Sequence, residues 1–381
     1  VCGGRGICSK CQITPSYGEF SKFGVSVSKD ALSEWNSVEQ RYDDKRGLKS
    51  GRRLGCQAQI NSDIVIDVPA ESQVHKQVIR KAASDRVIQM NSGTKLYFVQ
   101  VEEPNMHEPS GDLERLSKAL KEQWDIRRVT CDLYNLIQLQ TTLRKGNWHI
   151  TVALYKDHLS NVSKIVNVWS GLHEAGIYGI AIDLGSTTIA AHLIDLKSGL
   201  VLANSGIMNP QIRFGEDLMS RVSYSMMNSG GAKEMTKSVR EAINVLIDDV
   251  AKEANISNNL ILEAVIVCNP VMHHLLLGID PVELGQAPFA LATSDALSLR
   301  SEEIDLNAMN LSGQCYILPC IAGHVGADAA AVALSEEPGK SDDLILIVDV
   351  GTNAELLLGN KSRVLACSSP TGPAFEGAVT H

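Results

Sequence analysis

One pattern occurs twice in this chain, and any fold must accommodate both copies. An apolar run ends in an aspartate, a tight turn of glycine and hydroxyl or amide residues follows, and a second apolar run leads away. In the first copy, residues 177–188, Asp183 closes the strand and Gly185-Ser186-Thr187-Thr188 forms the turn. In the second, residues 344–353, Asp349 is followed by Val350-Gly351-Thr352-Asn353. Each copy continues into a strand, a glycine-bearing turn and a third strand: 189–194, 195–199 and 200–203 in the first, and 354–358, 359–362 and 363–367 in the second. Two copies set 166 positions apart predict two lobes of related topology facing one another.

The residue types point to a phosphate ligand. Glycine lets backbone N–H groups approach phosphate oxygens, and serine and threonine hydroxyls add donors. A strand-end aspartate can hold a hydrated Mg²⁺ or position an attacking water. On opposing lobes, Asp183 and Asp349 become candidate catalytic residues. Gly185, Ser186, Thr187, Thr188, Gly351, Thr352 and Asn353 become candidate contacts to ATP. Binding a polyphosphate between two such turns would draw the lobes together, and hydrolysis would release them.

Cysteine usage is the second constraint. Of nine cysteines, Cys2, Cys8 and Cys11 crowd one glycine-rich loop, Cys2-Gly3-Gly4-Arg5-Gly6-Ile7-Cys8-Ser9-Lys10-Cys11, and Cys56 arrives from a distant segment. Three thiolates on a tight loop and a fourth from elsewhere suit a [2Fe–2S] cluster, whose sulfides backbone amides would stabilise. A zinc site and a disulfide framework are the alternatives on these residues alone; only one Cys-x-x-Cys pair is present. The later cysteines, 131, 268, 315, 320 and 367, read as small buried hydrophobes. The loop and the segment Arg53-Leu54-Gly55-Cys56-Gln57 resemble those of ferredoxins of a variant with one extra residue in the first cysteine gap.

Between these regions, residues 71–94 read as a charged linker and 95–172 as a small α+β domain. Strands are expected near 95–101 and 148–154, with a helix on the Leu113, Leu116, Leu120, Trp124 stripe between them. His107 and His149 read as structural or solvated there. Farther on, Val239, Ala242, Ile243, Leu246, Ile247 and Val250 mark a core-facing helix over 236–255, and His273-His274 sit among apolar residues as core or helix-face groups. Thirty-five basic against forty-four acidic residues leave a net charge of −9, which argues against nucleic acid or an anionic membrane as partner. No apolar run is long enough to span a bilayer. The chain opens on Val1 and stops at His381 just past a glycine-rich stretch, and it reads as a piece of a longer protein.

The two hairpins resemble the phosphate-1 and phosphate-2 motifs of the superfamily of actin, sugar kinases and heat-shock chaperones, and residues 323–331 resemble its first connecting helix. The runs Asn209-Pro210-Gln211-Ile212-Arg213-Phe214-Gly215-Glu216-Asp217, Asn269-Pro270-Val271-Met272-His273-His274 and Gly372-Pro373-Ala374-Phe375-Glu376-Gly377 are similar to those of the ATP-dependent reductive activators of corrinoid proteins. The resemblance implies three units. Residues 1–70 would be a partial β-grasp [2Fe–2S] ferredoxin ligated by Cys2, Cys8, Cys11 and Cys56, and 95–172 a middle α+β domain. Residues 173–381 would be a partial ribonuclease-H-like ATPase of α/β type, with Gly372, Glu376 and Gly377 as candidate adenosine contacts. It further implies a cytoplasmic protein that reduces the Co(II) corrinoid of a methyl-carrier protein to Co(I), fed by an upstream electron donor and using Mg-ATP. A second copy of the chain is a candidate partner.

Overall fold

The computed structural model describes residues 4–7, 11–20, 24–69, 72, 89–351 and 353–370. Cys2, Cys8, Thr352, Gly372, Glu376 and Gly377 lie outside the described residues.

The N-terminal unit is a small α+β assembly. Strands β1 (Gln12–Ser16), β4 (Arg53–Leu54) and β5 (Val65–Asp67) form an antiparallel sheet in the order β4-β1-β5, beside a hairpin of β2 (Gly18–Phe20) and β3 (Val25–Val27). One helix, α1 (Ser37–Arg46), starts where Asn36 accepts N–H bonds from Val38 at 2.9 Å and Glu39 at 3.0 Å. Glu39 returns the bond to the Asn36 N–H, completing a reciprocal cap. Glu39 is wholly buried and is gripped by the Arg53 guanidinium at 2.8 and 2.7 Å, while the Leu54 N–H donates to it at 3.0 Å. This ion pair ties the helix to the strand that delivers Cys56.

The second unit is a four-stranded sheet in the order β6-β8-β9-β7, built from β6 (Thr94–Gln100), β7 (Val129–Cys131), β8 (His149–Asp157) and β9 (Val162–Ser170). Helices α2 (Asp112–Trp124) and α3 (Leu133–Lys145) cover one face, burying Leu116, Leu120, Leu139 and Leu143 against Ile150, Val152 and Leu154. The other face is largely covered too. Ala153, Tyr155 and Val166 pack on Ile177, Leu196 and Leu262 of the next unit, and Thr94 donates to Glu263 at 2.8 Å. A strand covered on both faces loses the in–out alternation, so β8 extends three residues beyond the sequence reading.

The third unit has a six-stranded sheet in the order β12-β11-β10-β13-β15-β14. Its strands are β10 (Tyr178–Leu184), β11 (Thr188–Asp195), β12 (Val201–Met208), β13 (Ile261–Cys268), β14 (Leu297–Arg300) and β15 (Gln314–Ile317). The meander β10-β11-β12 is antiparallel, and β13 and β15 add in parallel to β10. Helices α4 (Leu218–Met227), α5 (Gly231–Glu253) and α6 (Pro270–Leu277) follow the meander and β13. The apolar stripe of α5 buries Met235, Val239, Ile243, Leu246, Ile247 and Val250 in the largest core. After β15, α7 (Ala327–Glu336) leads to a second meander of β16 (Ile345–Val350), β17 (Asn353–Asn360) and β18 (Arg363–Pro370). Both repeats are therefore antiparallel meanders with the aspartate at the end of the first strand. Among the described residues no helix is long and apolar enough to cross a membrane.

Candidate functional site

The two aspartates converge on a third carboxyl group. Asp183 stands at the end of β10 and Asp349 near the end of β16, and both raise the pKa of Asp328 in the first turn of α7. Burial first, and then these two neighbouring charges, push the Asp328 carboxyl up to about 6. Glu355, paired across the strands with Asp349, is pushed up to about 7, mainly by burial and then by Asp328 and Asp349. Carboxylates held together against their repulsion form a site where a divalent cation would be most strongly stabilised. Sequence reasoning placed Asp328 in a connecting helix without a role and passed over Glu355. The signal available was the small-residue run around it: a Cβ on Gly326 would meet the Asn269 Cα and the Cys268 carbonyl at 2.6 Å, so only glycine lets α7 approach so closely.

The first turn is held from behind. Ser186 and Thr188 are buried, and a Cβ on Gly185 would lie 2.6 Å from the Thr188 carbonyl. Asn209 fixes the turn by donating its side-chain amide to the Gly185 carbonyl and its N–H to the Thr187 carbonyl, both at 2.8 Å. Arg221 on α4 donates to the Ser186 carbonyl, to the Gly215 carbonyl at 3.0 Å and to Gln211 at 3.3 Å. Its guanidinium is fully buried, and among the described residues it makes no salt bridge. Burial draws its pKa down to about 9, opposed by Asp217, so it stays charged at neutral pH. An apolar-looking helix gave no hint of Arg221.

Beside the second turn lies a cavity of 330 Å³ lined by Asp217, Leu218, Met219, Pro270, Val271, Gly323, His324, Asn353 and Ser368. It brings the N-terminal ends of α4 and α6 together with the second hairpin, which supplies Asn353; Gly351 closes that turn by donating to the Asn353 carbonyl at 2.9 Å. Asp217 and Asn269 cap α4 and α6. Of the phrase at residues 209–217, Asp217 reaches the cavity, whereas the Arg213 guanidinium lies over the Phe214 ring. His273 and His274 are both buried in α6, as expected of core groups.

At the other end, Cys11 and Cys56 come together. The Gly55 N–H donates to the Cys11 carbonyl at 2.7 Å, and a Cβ on Gly55 would press on that oxygen at 2.9 Å. A hydrogen bond with the Cys11 thiol, aided by Gln57 and the Gly6 backbone, draws the Cys56 thiol down to about 6 against the effect of burial. Gly4 and Gly6 have φ of 82° and 66°, the left-handed conformation that a wrapping loop needs. Among the described residues no group of three potential metal ligands is assembled, with Cys2 and Cys8 lying outside them. Of the later cysteines, Cys268, Cys315 and Cys320 are buried as expected, but Cys131 is half-buried and Cys367 is exposed.

The two ends touch. Arg5, in the cysteine loop, donates to the Ser220 hydroxyl at 3.3 Å, and that hydroxyl donates to Asp217 at 2.9 Å. Ser220 and Arg221 are adjacent on α4, so one helical turn contacts the thiol loop, the cavity and the turn at residues 185–188.

Comparison with known proteins follows the same order along the chain. Models of the RACo linker region, the RACo middle region and the C-terminal ASKHA domain of RACo match residues 83–175, 178–339 and 343–381. The last assignment carries a capacity to bind nucleotide. A corrinoid activation enzyme, RamQ, of Eubacterium limosum is 36% identical over 205 residues, which are 54% of this chain and 34% of that protein. A [Co(II) methylated amine-specific corrinoid protein] reductase of Methanosarcina barkeri is 26% identical over 217 residues, covering 53% and 37%. The chain thus spans little more than a third of the curated relatives it matches. A solved structure of a reductive activator for corrinoid, iron–sulfur protein superposes with a TM-score of 0.70 at 30% identity, covering 99% of this chain and 59% of that one.

Proposed function

We propose, for a chain that matches the RACo architecture region by region, that it uses ATP to drive one-electron reduction of the Co(II) corrinoid of a methyl-carrier protein to Co(I), replenished by an upstream electron donor. In this reading Cys2, Cys8, Cys11 and Cys56 hold a [2Fe–2S] cluster in a ferredoxin-like N-terminal unit. Such a cluster supplies one-electron transfer near about −400 mV. The proximity of Cys11 and Cys56 and the lowered Cys56 pKa fit ligation by thiolates.

Asp183 and Asp349, with Asp328 between them, would hold hydrated Mg²⁺. The backbone N–H groups and hydroxyls of residues 185–188 and 351–353 would cradle the phosphates. Arg221 keeps a buried positive charge behind the first turn, where it both braces the Ser186 carbonyl and favours an anion in front of it. Closure on the nucleotide would pull on Arg221 and Asp217 together, and so on α4.

The observation that carries this reading is the Arg5–Ser220 hydrogen bond, because it connects the thiol loop to the helix that feels the nucleotide. It gives a direct test. In the full-length protein, Arg5→Ala should leave ATP hydrolysis within about twofold of wild type. ATP-stimulated reduction of the corrinoid protein should fall about fivefold, the loss expected for one charge-assisted hydrogen bond at a partly exposed contact. Unchanged ATP stimulation in Arg5→Ala would remove this contact from the coupling route.

A further inference from the structure

We propose that the second unit carries a separate oxyanion site that takes a small phosphorylated molecule. A concavity of 470 Å³ opens beside the start of β6 and the end of α2, away from the carboxylates, and is lined by Lys95, Tyr97, Arg128, Lys156, His158 and Ser163 among others. In a chain of net charge −9 this concentration of bases is unusual.

The charges there are uncompensated. Lys95 and Lys156 are fixed by the neutral amide oxygens of Asn91 at 2.9 Å and Asn161 at 2.6 Å. Arg128 forms no ion pair among the described residues. The one carboxylate on the lining, Asp125, is engaged by Arg127 at 2.9 Å. Behind the wall, Asp157 is paired with Lys164 at 3.0 Å. Three cations therefore face the cavity with no acid of their own.

Ser163 lines the cavity as well: the residue is 8% exposed and its hydroxyl makes no hydrogen bond within the described residues, which leaves it as a donor for a bound oxyanion. Tyr97, Ile126 and Leu154 supply an apolar floor, and the volume falls within the range of about 300–1,000 Å³ usual for small-molecule sites. Several cations, a hydroxyl donor and an apolar floor fit a phosphate or diphosphate on a compact organic body better than a monocarboxylate.

The test uses titration calorimetry on the full-length protein with inorganic pyrophosphate, with citrate as the polycarboxylate comparison. Arg128→Gln/Lys156→Gln changes two exposed side chains and should preserve the fold and ATP hydrolysis. Pyrophosphate affinity should fall at least about tenfold in that variant, the loss of two charge-assisted contacts, and in wild type it should exceed that of citrate. Equal pyrophosphate affinity in wild type and variant, or no binding to wild type, would overturn the site. Citrate binding as tightly as pyrophosphate would overturn its assignment to phosphates.

Discussion

Asp349→Asn is expected to lower ATP hydrolysis by about a hundredfold or more while making the nucleotide-free protein more stable. The two effects share one cause. Burial is the main reason that the Asp328 and Glu355 carboxyl groups are raised, to about 6 and about 7, and the Asp349 charge adds a smaller push to each. Removing one negative charge relieves that repulsion, which at a partly buried site is worth about 0.5–1 kcal/mol, and it removes a ligand from the place where Mg²⁺ would sit. Thermal melts should therefore show a small rise for the variant without Mg²⁺, and a smaller further rise than wild type when Mg²⁺ and nucleotide are added. Asp183→Asn should behave in the same way. A variant that loses activity but melts lower than wild type would mean that Asp349 has a structural part, and that the carboxylates are not held in opposition.

The second large effect concerns the N-terminal unit. Glu39→Ala should destabilise it by about 3 kcal/mol, because the largely buried Arg53 guanidinium loses its carboxylate and keeps only the Ser33 and Glu34 carbonyls, while the Leu54 and Asn36 N–H groups lose their acceptor. For a unit of this size that approaches the whole stability, so the segment presenting Cys56 should disorder. After anaerobic reconstitution with iron and sulfide and reduction, the electron paramagnetic resonance signal should be lost in Glu39→Ala, although all four cysteines remain. A full signal in the variant would contradict this.

The same pair has a pH signature. The folded Glu39 carboxyl lies below its ordinary 4.5: burial opposes this, but the bonds from Arg53, Leu54 and Asn36 outweigh it. A depressed carboxylate pKa stabilises the fold fully above that ordinary value. The contribution is lost as the pH falls from 4.5 through the folded pKa, so melting of this unit should weaken in that window.

Some of this was legible in the chain and some was not, for physical reasons. The α5 stripe and the alternation of β16 announced themselves because each buries one face, and the period of a half-buried element survives in the sequence, whereas the first meander, whose β11 is buried on both faces, was legible from its apolar runs and its glycine-hydroxyl turn. β8 was read short because α2 and α3 cover one side of it and Ile177 and Leu262 the other, which erases the alternation. Arg221 could not be foreseen. Its partners are the carbonyl groups of residues 186 and 215 and the neutral Gln211 and Met272 side chains, and no acid in the sequence marks a cation satisfied in this way. Glu355 was equally silent, and Asp328 was marked only by the small residues around it, since a carboxylate's meaning lies in the neighbours that folding supplies. The Arg5–Ser220 contact spans 215 positions and two units, and only the assembled chain reveals it.

The most direct measurement is made anaerobically: full-length protein, a reductant and a Co(II) corrinoid protein, with the Co(I) absorption band followed with and without ATP. The band should grow with ATP and stall without it, and Asp349→Asn should stall in both cases. Equal growth with and without ATP would mean that the nucleotide cleft does not drive the electron transfer, and the proposed coupling would be wrong.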